Sequence, residues 1–96
     1  MILNKKKVEK LAHSWCYLDN MFGYLDEMIR KNKDNKALCK LLTKEQTDID
    51  NIRTTIMQIW GFEDYDYFVK MVISGYADWD KNLNRWYLSS RRYLVK

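Results

Sequence analysis

Apolar residues recur every three or four positions along the first third of the chain. The repeat consists of Val8, Leu11, Trp15, Leu18, Phe22, Leu25 and Ile29. This period is typical of one buried face of an amphipathic α-helix. Asn4 is a suitable N-cap, and the polar, turn-forming residues at positions 32–35 are a suitable end. The pattern therefore predicts a helix over residues 4–31.

A second apolar line runs beside the first on the same helix. It consists of Tyr17, Met21, Tyr24 and Met28, which are spaced by four, three and four residues. A helix that is apolar over so much of its circumference needs more than one neighbour. We therefore expect this line to mediate self-association as a homodimer, or to contact an obligate partner.

The middle of the chain has two interpretations. Residues 36–42 show a short helical pattern that stops at Thr43, and Thr43 with Gln46 has the spacing of a capping box, which predicts a new helix starting there. The apolar positions on both sides nevertheless keep one heptad phase, which also fits a single continuous helix. Gly61 followed by Phe62 predicts the helix end in either case, because a left-handed residue followed by an apolar one is a common exit.

The last third is ambiguous between helix and strand. Residues 65–75 fit a helical face but also alternate in a way that suits a strand, and we prefer the helix. After that, Asp78 could cap a final helix, or a hairpin could turn near residues 80–84. We predict one all-α domain over residues 1–96, a small bundle of three to four helices. The alternative is an α+β fold in which a helix pair is followed by a C-terminal β-hairpin.

Composition is that of a folded globular chain, with 47% hydrophobic and 31% charged residues, no proline and three glycines. No signal peptide and no apolar run of the ~20 residues that span a bilayer is visible, so we expect a cytoplasmic protein without membrane contact. In that compartment, Cys16 and Cys39 should be reduced, buried thiols. The small size and the lysine, asparagine and isoleucine usage suit a protein encoded by a phage or mobile element.

Charge and candidate chemistry give little sign of catalysis. The net charge of +4 is spread over blocks of alternating sign, which favours an acidic partner only weakly. His13 lies near Cys16, but neither a full zinc ligand set nor a base, orienting group and oxyanion hole is apparent. The acidic residues at positions 63, 64 and 66 are explained by a helix start. We expect no enzyme activity, no metal and no cofactor.

The C-terminal stretch interleaves basic and aromatic residues. The candidate partner-binding residues are Arg85, Trp86, Tyr87, Arg91, Arg92 and Tyr93. Such residues can anchor a protein interface, or can stack on bases and neutralise phosphates. A third interpretation places the aromatics in the core and the arginines on a solvated face. The favoured hypothesis is a small protein-binding module, such as an inhibitor, adaptor or regulatory subunit, that acts by surface occupation. The alternative is a nucleic-acid-binding protein.

Overall fold

The computed structural model describes residues 5–88, which form helices followed by a β-hairpin. The elements are α1 (Lys5–Lys31), α2 (Lys36–Ile59), α3 (Tyr65–Met71), a short 3-10 helix (Ile73–Gly75), β1 (Ala77–Asp80) and β2 (Arg85–Leu88). The two strands pair antiparallel. The prediction of an all-α bundle is therefore wrong for the C-terminal stretch, where the alternative α+β fold with a hairpin is confirmed.

Helix α1 follows the predicted periodicity. Trp15, near the middle of the main apolar line, is fully buried, while Leu18 and Phe22 are half-buried. The helix ends where the Asn32 side chain donates to the carbonyl of Met28 at 2.8 Å. The proposed cap at position 4 lies outside the described residues.

Helix α2 is continuous, so the predicted helix start at Thr43 is wrong. The N-cap is Asn35, whose side chain accepts from the backbone N–H of Leu38 at 3.1 Å. Gln46 does not close a capping box. Its amide donates instead to the carbonyl of Phe22 on α1 at 3.2 Å. The unbroken heptad phase, with no glycine or proline to interrupt it, outweighs the local capping signal.

The end of α2 and the start of α3 agree with the sequence prediction. Gly61 adopts a left-handed φ of 82°, and the N–H of Phe62 donates to the carbonyl of Met57 at 3.0 Å. This is the hydrogen bond of a Schellman ending. Asp64 then caps α3 by accepting from the N–H of Tyr67 at 2.9 Å. The helical interpretation is confirmed for α3.

The hairpin forms because its cross-strand and turn contacts favour strands over a last helix. Trp79 faces Trp86 across the ladder, and their ring centroids lie 5.2 Å apart in an edge-to-face arrangement. The Asp80 carboxylate accepts from two backbone N–H groups of the turn, at 2.9 and 3.2 Å. Asn84 takes the left-handed conformation, with φ 54°. The turn thus falls where the hairpin alternative placed it.

One cluster of buried side chains joins α1, α2, α3 and the start of the hairpin. Its members are Ala12, Trp15, Cys16, Ile56, Met57, Phe68, Val72, Ile73, Tyr76 and Ala77. Trp15 is central, with ring centroids 5.5 Å from Phe68 and 6.2 Å from Trp86. The hairpin is therefore fastened to the helices through aromatic packing.

Candidate functional site

A groove lies between α1 and the tip of the hairpin. It encloses a volume of about 520 Å³. Its lining residues are Tyr17, Asn20, Met21, Gly23, Tyr24, Leu25, Glu27, Arg30, Leu83, Asn84 and Arg85. We call it the α1–hairpin groove. It brings together three residues of the second apolar line on α1 and one residue of the C-terminal basic and aromatic stretch, which the sequence analysis had singled out separately.

The groove exposes large apolar side chains. Tyr17 and Tyr24 are each 65% exposed, and Leu83 on the hairpin tip is 60% exposed. Met21 is exposed as well, whereas Met28 is half-buried and does not line the groove. Tyrosine combines an apolar ring with a polar tip, which suits a surface that alternates between water and a partner. The predicted homodimer at this line stays a prediction.

The hairpin is held against α1 by one amide side chain. Asn20 donates to the carbonyl of Trp86 at 2.9 Å and accepts from the N–H of the same residue at 2.6 Å. Both backbone groups of Trp86 are thereby satisfied on the side of β2 that faces α1. The edge of β2 is closed at this residue.

A charge cluster centred on Asp19 also joins α1 to the hairpin. Arg53 is only 9% exposed and pairs with Asp19 on α1, and with Asp50 at 2.7 Å. Asp19 also accepts from the indole N–H of Trp86 at 2.7 Å and from the Tyr65 hydroxyl at 3.2 Å. Burial, and then the Asp19 charge, raise the pKa of Tyr65. The Asp19 cluster thus ties α1, α2, α3 and β2 together.

The C-terminal candidate residues divide into two groups. Arg85 and Tyr87 are exposed, while Trp86 is half-buried against Trp15 and bonded to α1. Trp86 therefore positions the hairpin, and Arg85 lines the groove. The remaining three candidates, Arg91, Arg92 and Tyr93, lie outside the described residues.

Charges along the groove are mostly paired. Glu27 pairs with Lys31 at 2.9 Å, and Arg30 lies 3.8 Å from Asp26. The hydrogen bond from Lys31, together with its charge, lowers the pKa of Glu27. Arg85 has no ion pair with any residue in the described part of the chain. It is the cation that the groove leaves available.

Gly23 is a lining residue that the sequence analysis overlooked. It lies inside α1, where glycine costs roughly 0.5–1 kcal/mol relative to alanine. A Cβ placed on it would meet no atom within 4 Å, so packing within the described chain does not require a glycine there. A glycine in the interior of a strongly periodic helix was the signal that could have found it.

The thiol and histidine candidates show no activated group. Cys16 is buried, and burial together with the Asp19 charge raises its pKa to about 12, which keeps the thiol protonated at neutral pH. Cys39 is only half-buried, so the expectation of two buried thiols is wrong for it, and it donates to the carbonyl of Asn32 at 3.1 Å. Both cysteines are free. His13 packs edge-on against Tyr76. Within residues 5–88, no three His, Cys, Asp or Glu side chains are grouped so that they could hold a metal ion.

The chain was also compared with known proteins. The sequence matches no protein-family model, and searches of curated proteins and of solved structures find no match. Among the described helices, none combines the length and the apolar character needed to cross a bilayer. Function is therefore inferred from the groove.

Proposed function

We propose that this chain is a small non-enzymatic protein-binding module, which acts by covering a surface of a partner protein with the α1–hairpin groove. An inhibitor, an adaptor or a regulatory subunit works in this way, because steric occupation needs no reacting group. The supporting observation is that Tyr17, Met21 and Tyr24 line one groove together with Leu83 and remain exposed there. Contiguous exposed apolar surface marks interaction sites.

The lining composition favours a protein over a nucleic acid. Protein interfaces are enriched in tyrosine, methionine and arginine and depleted in lysine. The lining residues include two tyrosines, one methionine and two arginines, and lysine is not among them. Nucleic-acid binding depends on several free cations placed along the phosphate backbone. Of the two groove arginines, Arg30 already lies beside Asp26.

The contacts that hold the hairpin against α1 favour tight docking. The two hydrogen bonds between Asn20 and Trp86, together with the Asp19 cluster, hold the hairpin against α1 before any partner arrives. A surface that is already ordered loses little entropy on binding. Tyr17 and Tyr24 have only two side-chain torsions each, so they contribute contact area at low entropic cost.

The test is capture of a partner by the tagged full chain from an extract of the organism that encodes it. The site variant is Tyr24→Ser. The matched control is Tyr67→Ser, because Tyr67 is also about half exposed, at 53%, but lies on α3 outside the groove. We expect the parent and the control to capture the same protein, and Tyr24→Ser to bind it about tenfold more weakly or worse. Nuclease should not change the result.

Two results would contradict the proposal. Equal capture by Tyr24→Ser and the parent would show that the groove is not the binding surface. Loss of capture on nuclease treatment, with affinity falling steeply as salt rises, would instead support the nucleic-acid alternative.

A further inference from the structure

We infer that the groove takes an amphipathic α-helix of the partner protein, which packs its apolar face over Gly23 and places a carboxylate beside Arg85. The inference rests on the proposed protein-binding function and specifies the kind of segment that is bound. It combines three features of the groove: a closed strand edge, a missing side chain and an available cation.

The edge of β2 is blocked at Trp86, in the middle of the strand, which disfavours an extended occupant. A peptide that binds as an added strand needs free backbone N–H and C=O groups at a sheet edge. On the side of β2 that faces α1, the Asn20 side chain already occupies both groups of Trp86, at 2.9 and 2.6 Å. An α-helix satisfies its own backbone hydrogen bonds and needs no such edge.

Because Gly23 has no side chain, a partner helix can approach the backbone of α1 closely. Steps of three and four residues place Asn20, Gly23 and Glu27 on one line along α1, next to the line of Tyr17 and Tyr24. At Gly23 no side chain separates the α1 backbone from an occupant, and the space above it is open. The lining residues on α1 extend from position 17 to position 30, a rise of about 20 Å. A helix of three to four turns, that is about 13 residues, matches this length.

Arg85 favours a partner helix that carries negative charge. Glu27 and Arg30 each have an ion-pair partner on α1, whereas Arg85 has none among the described residues. An exposed guanidinium group at the rim of the groove is best matched by a carboxylate, which can accept two parallel hydrogen bonds. The occupant is therefore an acidic amphipathic helix.

The experiment uses the full chain as bait against a displayed library of random peptides of about 16 residues, long enough to fill the groove as a helix. The most enriched peptide is then synthesised, and its affinity is measured by fluorescence anisotropy. The variants are Gly23→Leu and Arg85→Gln, with Tyr67→Ser as the control. Leucine is a strong helix former, its Cβ would meet no atom within 4 Å, and the position is exposed, so Gly23→Leu should stay folded.

We expect enriched peptides to carry apolar residues at steps of three and four together with Asp or Glu, and to become helical on binding. Gly23→Leu should weaken the affinity about tenfold or more. Arg85→Gln should weaken binding of the acidic peptide but not of its Glu→Gln or Asp→Asn form, which removes the matching charge. Tyr67→Ser should bind as the parent does.

Three results would overturn the inference. They are no enrichment at all, enrichment of extended or alternating sequences, and unchanged affinity in Gly23→Leu. Self-association of the parent that disappears in Gly23→Leu would also overturn it, in favour of a second copy of this chain. The proposed function would survive each of these if capture from the extract still separated Tyr24→Ser from Tyr67→Ser.

Discussion

Replacement of Asp19 by alanine should destabilise the fold by removing several buried contacts at one site. The Asp19 carboxylate pairs with the buried Arg53 guanidinium and accepts from the Trp86 indole and the Tyr65 hydroxyl. Without it, Arg53 keeps only its bond to Asp50, whose side chain is largely exposed. A buried charge, an indole N–H and a hydroxyl each lose a partner in one substitution.

The expected loss follows from these contacts. Removing one partner of a buried ion pair costs about 3–5 kcal/mol. The remaining bond to Asp50 places Asp19→Ala near the lower end, at about 3 kcal/mol. The free energy of unfolding of a domain is about 5–15 kcal/mol, so this variant should retain about 2–12 kcal/mol. Its Tm should fall by roughly 12–24 °C, at 4–8 °C per kcal/mol.

The assay is urea denaturation followed by circular dichroism. Asp48→Ala is the control, because Asp48 is an exposed carboxylate on α2, and its loss should cost no more than about 0.5 kcal/mol. The double variant Asp19→Leu with Arg53→Met should regain most of the loss, because apolar replacement of a whole buried pair is often neutral. An unfolding free energy for Asp19→Ala within about 0.5 kcal/mol of the parent would refute the reasoning.

Three further predictions concern single positions. Gly23→Ala should raise the free energy of unfolding by about 0.5–1 kcal/mol, because the position is helical and open; a lower urea midpoint would contradict this. Asn84→Val should lower the free energy of unfolding by about 1–2 kcal/mol, because valine is strained in the left-handed conformation that Asn84 adopts. An unchanged melting curve would count against the turn geometry. The pKa of Cys16 rises from 9.0 to about 12 on folding. The contribution of this thiol to the free energy of unfolding is therefore fully present below pH 9.0. It is lost between pH 9.0 and about 12, because there only the unfolded chain has released the proton. The fall in stability over that range should be shallower in Cys16→Ala, and an equal slope in both proteins would exclude the effect.

Local sequence patterns predict the helices better than they predict where one helix ends and the next begins. The period of α1 and the glycine exit of α2 could be derived because the residues that determine them are close in sequence. The start proposed at Thr43 is wrong because the unbroken heptad phase outweighs the capping signal, and Gln46 donates instead to the carbonyl of Phe22 on α1. Tertiary contacts override weak local signals in this way.

The hairpin and the groove depend on contacts between distant residues. Asn20 and Trp86 are bonded across 66 positions, and no local periodicity distinguishes this arrangement from a last helix. The second apolar line of α1 and Arg85 were both recognised from the sequence as candidate interface residues. Their meeting in one groove could not be predicted, because it requires the docked hairpin. Gly23 was not singled out, although a glycine in the interior of a strongly periodic helix is a signal that could have found it.

Photo-crosslinking from inside the groove tests the central claim most directly. A benzophenone amino acid replaces Tyr24 in one variant and Tyr67 in the other, and each full chain is irradiated in cells of the organism that encodes it. The two positions are both exposed, but only Tyr24 lines the groove. We predict a discrete protein adduct from position 24 and none of the same mass from position 67. The same adduct from both positions, or an adduct from position 67 alone, would contradict the assignment of the α1–hairpin groove as the binding surface.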